Sequence, residues 1–156
     1  MISVSIPGWG DIDIEYLAID YNGTCAHDGR LKEGVRDILE KISRYIKVFI
    51  ITADTYDSVD SELNLMSFKV LKVRKEKSGI EKAKIVKELG PEKVIAIGNG
   101  ANDAMMLKEA ALGIGVIGEE GCAKDIFKEA DIVVNDIIEA LNIILHPERL
   151  VATLRE

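Results

Sequence analysis

Leu17-Ala18-Ile19-Asp20-Tyr21-Asn22-Gly23-Thr24 is an apolar run that ends in a carboxylate, with a turn and a hydroxyl behind it. A buried strand of this kind delivers Asp20 to the edge of a sheet, where its carboxylate meets solvent and ligand. Gly23 permits a backbone conformation or a close approach that a side chain would block. Thr24 adds a hydroxyl near whatever Asp20 binds. Two later stretches repeat the pattern. Val48-Phe49-Ile50-Ile51 ends in Thr52-Ala53-Asp54-Thr55, and Val94-Ile95-Ala96-Ile97 runs into Gly98-Asn99-Gly100-Ala101-Asn102-Asp103. Short continuous apolar runs suit strands buried on both faces.

Helical spacing fills the intervals. Val35, Ile38, Leu39, Ile42 and Ile46 form one stripe between Lys32 and Ile46, and Ile80, Ala83, Val86 and Leu89 form another from Gly79 to Leu89. Asp57 and Ser58 can cap a short helix through Leu63. Further helices are expected after Asp103, over Ala123 to Ala130 and over Asp136 to Leu145, the last of these ended by Pro147. Strands are expected over Phe68 to Val73, Leu112 to Ile117 and Ile132 to Val134. Ahead of them, Met1 to Ile6 and Asp11 to Glu15 alternate around Pro7-Gly8-Trp9-Gly10, the mark of a β-hairpin. Strands alternating with helices predict an α/β fold, a three-layer α/β/α sandwich with a parallel sheet and an N-terminal β-hairpin. The 156 residues suit a single domain spanning 1–156.

Composition narrows the classes. Net charge is -7, which argues against nonspecific binding to nucleic acid or an anionic membrane. No apolar run is long enough to span a bilayer. Cys25 and Cys122 lack metal-like spacing and, with no secretion signal read, imply a cytoplasmic location. His27 and His146 read as exposed, and Met105 and Met106 as core.

In an open parallel sheet, ligands sit at the carboxyl ends of strands. Asp20, Thr52 and the Gly98 to Asp103 loop all fall there, and Lys82 lies on the helix before the last of them. Together they form a coherent set for phosphoryl chemistry: a carboxylate nucleophile, a hydroxyl and backbone N–H groups for phosphoryl oxygens, and an ammonium for their charge. Oxygen ligands suit Mg²⁺.

On these motifs the sequence resembles the haloacid dehalogenase-like superfamily of phosphohydrolases and P-type ATPases. Its first motif, D-x-D-x-T or a variant, stands here as Asp20-Tyr21-Asn22-Gly23-Thr24. The second, an apolar strand ending in Thr or Ser, is Ile50-Ile51-Thr52. Lys82 matches the third, and Gly98-Asn99-Gly100-Ala101-Asn102-Asp103 matches G-D-G-x-N-D. Lys82-Ala83-Lys84-Ile85-Val86 and the last motif look most like the phosphorylation domain of heavy-metal P-type ATPases, and the chain resembles the small archaeal soluble P-type ATPase-like proteins. The resemblance implies a Rossmannoid sheet and a phosphatase-like hydrolase that forms an aspartyl phosphate at Asp20. It further implies a phosphate site of Asp20, Gly23, Thr52, Ala53 and Lys82, with Mg²⁺ at Asp20, Asn22 (through its carbonyl), Asn99 and Asp103.

Two departures bear on rate. Family phosphatases carry a second Asp two residues after the nucleophile as general acid and base, and here that residue is Asn22. An amide cannot move that proton, and losing such a group typically costs about 10²–10⁴-fold. Asn99 stands where Asp is usual, removing a negative charge worth on the order of 1–4 kcal/mol of ion attraction. Weak Mg²⁺ binding and slow turnover follow, with acyl and aryl phosphates as the best substrates. Neither the 25–51 nor the 53–81 interval can hold a cap domain. An open site implies a macromolecular substrate, a protein partner or a homo-oligomer whose neighbour forms the lid, with Cys25 to Gly29 as an exposed loop beside it. The competing reading is a phosphate-binding or regulatory module with attenuated turnover. A response-regulator receiver fits poorly, because its phosphorylated Asp lies on a later strand.

Overall fold

The computed structural model describes residues 1–53, 63 and 67–156. The helix expected over 57–63 lies, apart from Leu63, outside the described residues. Strands β1 (Ile2–Ile6) and β2 (Gly10–Ile14) form the antiparallel hairpin read from their alternation, with Val4 opposite Ile12. The chain then runs through β3 (Tyr16–Asp20), a two-residue hairpin β4 (Ala26–His27) and β5 (Arg30–Leu31), and helix α1 (Val35–Ile42). β6 (Lys47–Thr52) and β7 (Lys69–Lys72) follow, then α2 (Ser78–Leu89), β8 (Val94–Gly98), α3 (Ala104–Glu109), β9 (Leu112–Val116) and α4 (Lys124–Glu129). The last elements are β10 (Ile132–Val134), α5 (Ile137–Leu145) and α6 (Pro147–Leu154).

Among the described residues six strands form one parallel sheet in the order β10-β9-β8-β3-β6-β7. Because side chains alternate across a strand, the core splits in two. Leu17, Ile19, Ile50, Ile95 and Ile97 pack toward α1, α5, α6 and the N-terminal hairpin. Ala18, Ile51 and Ala96 pack toward α2, α3 and α4. This is the expected three-layer α/β/α architecture, and among the described residues no cap stands over it. No described helix is long and apolar enough to cross a membrane.

Several local expectations are corrected. The helix read over 136–145 does stop at Leu145, but Pro147 also begins a further helix, α6, which was not expected, and its missing N–H costs nothing at the first helical position. The Cys25 to Gly29 stretch is not an exposed loop. Cys25, Ala26 and Gly29 are buried, because the Tyr21 carbonyl accepts from the N–H groups of Cys25 and Ala26 at 3.0 and 2.9 Å. The Tyr21 hydroxyl also donates to the Gly29 carbonyl at 2.8 Å. Met106 is core, but Met105 faces out.

Candidate active site

The chain leaves β3 for β6 on one side of it and later returns to β8 on the other. The carboxyl ends of β3 and β8 therefore flank a switch point, where a parallel sheet opens a crevice. Asp20 is the last residue of β3, Thr52 of β6 and Gly98 of β8. Asp20, Thr52 and, one residue beyond Gly98, Asn99 meet at one open cleft of about 810 Å³, which Asn22, Ala53 and Lys82 also line.

Lys82 is the centre of this arrangement. Its ammonium is only 1 % exposed and lies 2.6 Å from Asp20 Oδ1 and 2.7 Å from Asp103 Oδ1. This contact sets the rotation of α2. The helix turns Ser78, Lys82, Ala83 and Val86 inward, and Ile80, expected on the buried stripe, is 62 % exposed. A buried lysine outranks an isoleucine in choosing the face, since an unpaired ammonium away from water costs far more than one exposed apolar side chain. Burial opposes the charge on Lys82, but Asp20 and Asp103 outweigh it and hold the ammonium above its ordinary pKa. Asp20 is pushed up to about 7, first by burial and then by the Asp103 carboxylate, with Lys82 and the Thr24 hydroxyl pulling the other way.

Asp103 also shapes the loop. Its Oδ2 accepts from the backbone N–H groups of Asn99 at 3.1 Å and Gly100 at 3.0 Å. Both its oxygens are thus hydrogen-bonded, and the residue is fully buried. A Cβ at position 98 would overlap the Asp103 carboxylate, which is why Gly98 precedes the loop. Thr24 faces both Asp20 Oδ2, at 3.0 Å, and Asn99 Oδ1, at 3.1 Å. Its one hydroxyl therefore ties the first motif to the last. Gly23 is buried at φ +83, and a Cβ there would strike the Glu120 carboxylate and sit 3.0 Å from Asn99 Nδ2. The Asn22 side chain accepts from the Gly29 N–H at 3.2 Å, pinning the small hairpin to the site. Gly23 and Asp103 thus stand behind the cleft wall, and the other expected residues line it.

The same cleft is lined by Arg74, Lys75 and Glu120, which the sequence reading did not single out. Arg74 is held by Glu81, through its guanidinium and through its backbone N–H at 2.6 Å. No spacing rule marks these residues, since all three sit in loops or a single 3₁₀ turn. Cys25, beside the site in sequence, is buried, and burial raises its thiol well above the ordinary range, so it is not a nucleophile.

The donor set can be tested against a metal. Among the described residues no group of three or more His, Cys, Asp or Glu side chains gathers, so a soft or tetrahedral metal has no cage. Asp20 and the Asn99 amide oxygen converge on Thr24 beside the Asn22-Gly23 turn. Oxygen donors with one or two carboxylates and an open, water-accessible cleft fit Mg²⁺.

A family profile for haloacid dehalogenase-like hydrolases matches residues 7–111 of the chain. An uncharacterized protein of Methanocaldococcus jannaschii is 50% identical over 93 residues, which is 55% of this chain and all of that one. Among solved structures, the 3-deoxy-D-manno-octulosonate 8-phosphate phosphatase of Yersinia pestis is similar with a TM-score of 0.68 and 17% identity, covering 97% of this chain and 95% of that one. The enzyme of the same name from Moraxella catarrhalis, in complex with magnesium, phosphate and its sugar acid, has a TM-score of 0.65 and 20% identity over 91% of this chain and 94% of that one. At such identities the likeness is one of fold.

Proposed function

Because the chain belongs to the haloacid dehalogenase-like hydrolase family, we propose that it is a Mg²⁺-dependent phosphohydrolase working through an aspartyl phosphate on Asp20. The observation that carries this reading is Lys82, buried at the switch point between Asp20 and Asp103. A buried ammonium at a strand-end carboxylate is arranged for an incoming anion. When a phosphoryl group arrives, it brings its own negative oxygens to Lys82 as Asp20 gives up its charge to a covalent bond.

The steps follow from the residues. An Asp20 carboxylate oxygen attacks phosphorus, the P–O bond to the leaving group breaks, and the leaving oxygen takes the electron pair. Lys82 and the Thr52 hydroxyl hold the phosphoryl oxygens, with the backbone at Ala53 beside them, while the Gly23 N–H, expected at the phosphate, is given to the Ala26 carbonyl at 2.9 Å. Thr24 and Asp103 keep Asp20, Asn99 and Lys82 in place. Mg²⁺, held at Asp20, the Asn22 carbonyl and Asn99, would supply the positive charge that lets a carboxylate approach a phosphate. Water then attacks phosphorus, phosphate leaves and the carboxylate returns. Asn22 can protonate neither the leaving group nor deprotonate the water, so both steps lack their proton carrier and acyl or aryl phosphates are favoured.

Within the family we place the chain with the capless, P-type ATPase-like members, on the amide at position 22 and the short interval before Lys82. The cleft is open to a macromolecular phosphoester or to a partner that covers it. A second reading, a phosphate-binding module with little turnover, is favoured by one contact: Asn22 already serves the Gly29 N–H as a structural acceptor. A panel of acetyl phosphate, p-nitrophenyl phosphate and alkyl phosphates separates the two. The enzyme reading predicts Mg²⁺-dependent release of phosphate from the first two that disappears in Asp20→Asn. Release that persists in Asp20→Asn, or is absent from the natural protein, contradicts it.

A further inference from the structure

We infer that Glu120 supplies the negative charge at the metal pole of this site, in the role left open by the amide at Asn99. The inference rests on the Mg²⁺ reading above.

Glu120 lies outside all four family motifs, in the 118–121 turn that follows β9. The turn is closed by the Gly121 N–H donating to the Gly118 carbonyl at 3.3 Å, and Gly118 and Gly121 adopt φ of +58 and +78. The turn and the residues just after it are bound to Asn99 twice. The Asn99 side-chain amide donates to the Gly121 carbonyl at 3.4 Å, and the Asn99 carbonyl accepts from the Ala123 N–H at 2.8 Å. The two glutamates at its tip diverge. Glu119 faces His27 at 3.5 Å on the small hairpin, and Glu120 turns into the cleft with Asp20, Asn22 and Asn99.

The position of the Glu120 carboxylate is specific. It occupies the space that a Cβ on Gly23 would need, and the Asn99 side-chain oxygen lies 3.2 Å from that same point. It therefore stands over the Asn22-Gly23 turn, next to the amide that replaces the usual carboxylate. Glu120 also lines a cleft that holds Lys82, Arg74 and Lys75 for an anion. A bare carboxylate there repels a phosphoryl group, and a divalent cation between the two turns that repulsion into attraction. The turn thus returns, from a different strand end, the charge removed at position 99.

The test is metal binding, read without turnover. Mn²⁺ is titrated into the protein with free Mn²⁺ followed by electron paramagnetic resonance, and Mg²⁺ is measured by competition. Glu120 is exposed, so Glu120→Gln keeps the fold, which a thermal melt confirms. Glu120→Gln is expected to weaken both ions about tenfold. In an Asn99→Asp background the same change should cost less than about threefold, because the first carboxylate then serves. Glu120→Gln equal to the natural protein in a chain that does bind Mn²⁺ overturns this inference alone. A natural protein that takes up no Mn²⁺ overturns the metal reading and this inference together.

Discussion

Replacing Lys82 by Met keeps most of the side chain's volume and removes only the charge. Both carboxylates it serves then face each other in the interior. Asp20 and Asp103 oxygens lie 2.6 and 2.7 Å from the ammonium, hence no more than about 5 Å apart, where two unit charges at an effective dielectric near 20 repel by about 3 kcal/mol. Removing one partner from a buried ion pair typically costs about 3–5 kcal/mol, in line with that figure. The loss must depend on pH. With Lys82 in place Asp20 ionises near pH 7, and Lys82 is among the groups that pull that value down. Without it Asp20 holds its proton to higher pH, so the variant's loss grows by about 1.4 kcal/mol per pH unit above 7 and is smaller at pH 5, where Asp20 is protonated in both chains. Urea unfolding should therefore give a loss of about 3–5 kcal/mol at pH 8 and a smaller one at pH 5. In an Asp20→Asn background the pH 8 loss should also fall by half or more, a coupling that a double-mutant cycle reads directly. A loss under about 1 kcal/mol at pH 8, the range of exposed pairs, would refute the reasoning, as would a loss of equal size at both pH values.

Asp20 itself should weaken the fold it serves. Its folded pKa of about 7 lies above the ordinary 3.8, so between those values the folded chain keeps a proton that the unfolded chain has released. The stability this proton carries is complete below the unfolded pKa and lost as pH rises through 7. Metal-free Asp20→Asn should thus be more stable than the natural protein at pH 8 by on the order of 2–4 kcal/mol, at 1.36 kcal/mol per pKa unit. The advantage should vanish near pH 4, and a less stable variant at pH 8 contradicts the account. Asn22→Asp should raise phosphate release from p-nitrophenyl phosphate by about 10² or more, by restoring the proton carrier. A carboxylate can still accept from the Gly29 N–H, so the small hairpin is kept. An unchanged rate in a folded Asn22→Asp supports the binding-module reading instead.

The strand ends were legible because a parallel sheet buries both faces of its strands. Leu17 to Ile19, Val48 to Ile51 and Val94 to Ile97 read as apolar runs whose polar ends announce themselves. Lys82 was legible only through its place relative to the last motif. Periodicity alone favoured Ile80, because a hydropathy stripe carries no information about two carboxylates brought together by the fold. The small hairpin at Ala26 to Leu31 was hidden for a related reason: polar contacts from Tyr21 and Asn22 hold it, with no apolar alternation to mark it. Glu120 gave no signal at all. Between two glycines at a loop tip it looks like any solvated glutamate, and only the space left at Gly23 shows where its carboxylate goes.

The most direct test of the central claim is covalent. The protein is incubated with Mg²⁺ and acetyl phosphate, quenched in acid, digested and mapped by mass spectrometry. The account predicts a phosphoryl group on Asp20 that accumulates in the natural protein, is depleted in Asn22→Asp as hydrolysis speeds up, and is absent from Asp20→Asn. No adduct under these conditions, or an adduct on another residue that survives in Asp20→Asn, would contradict it.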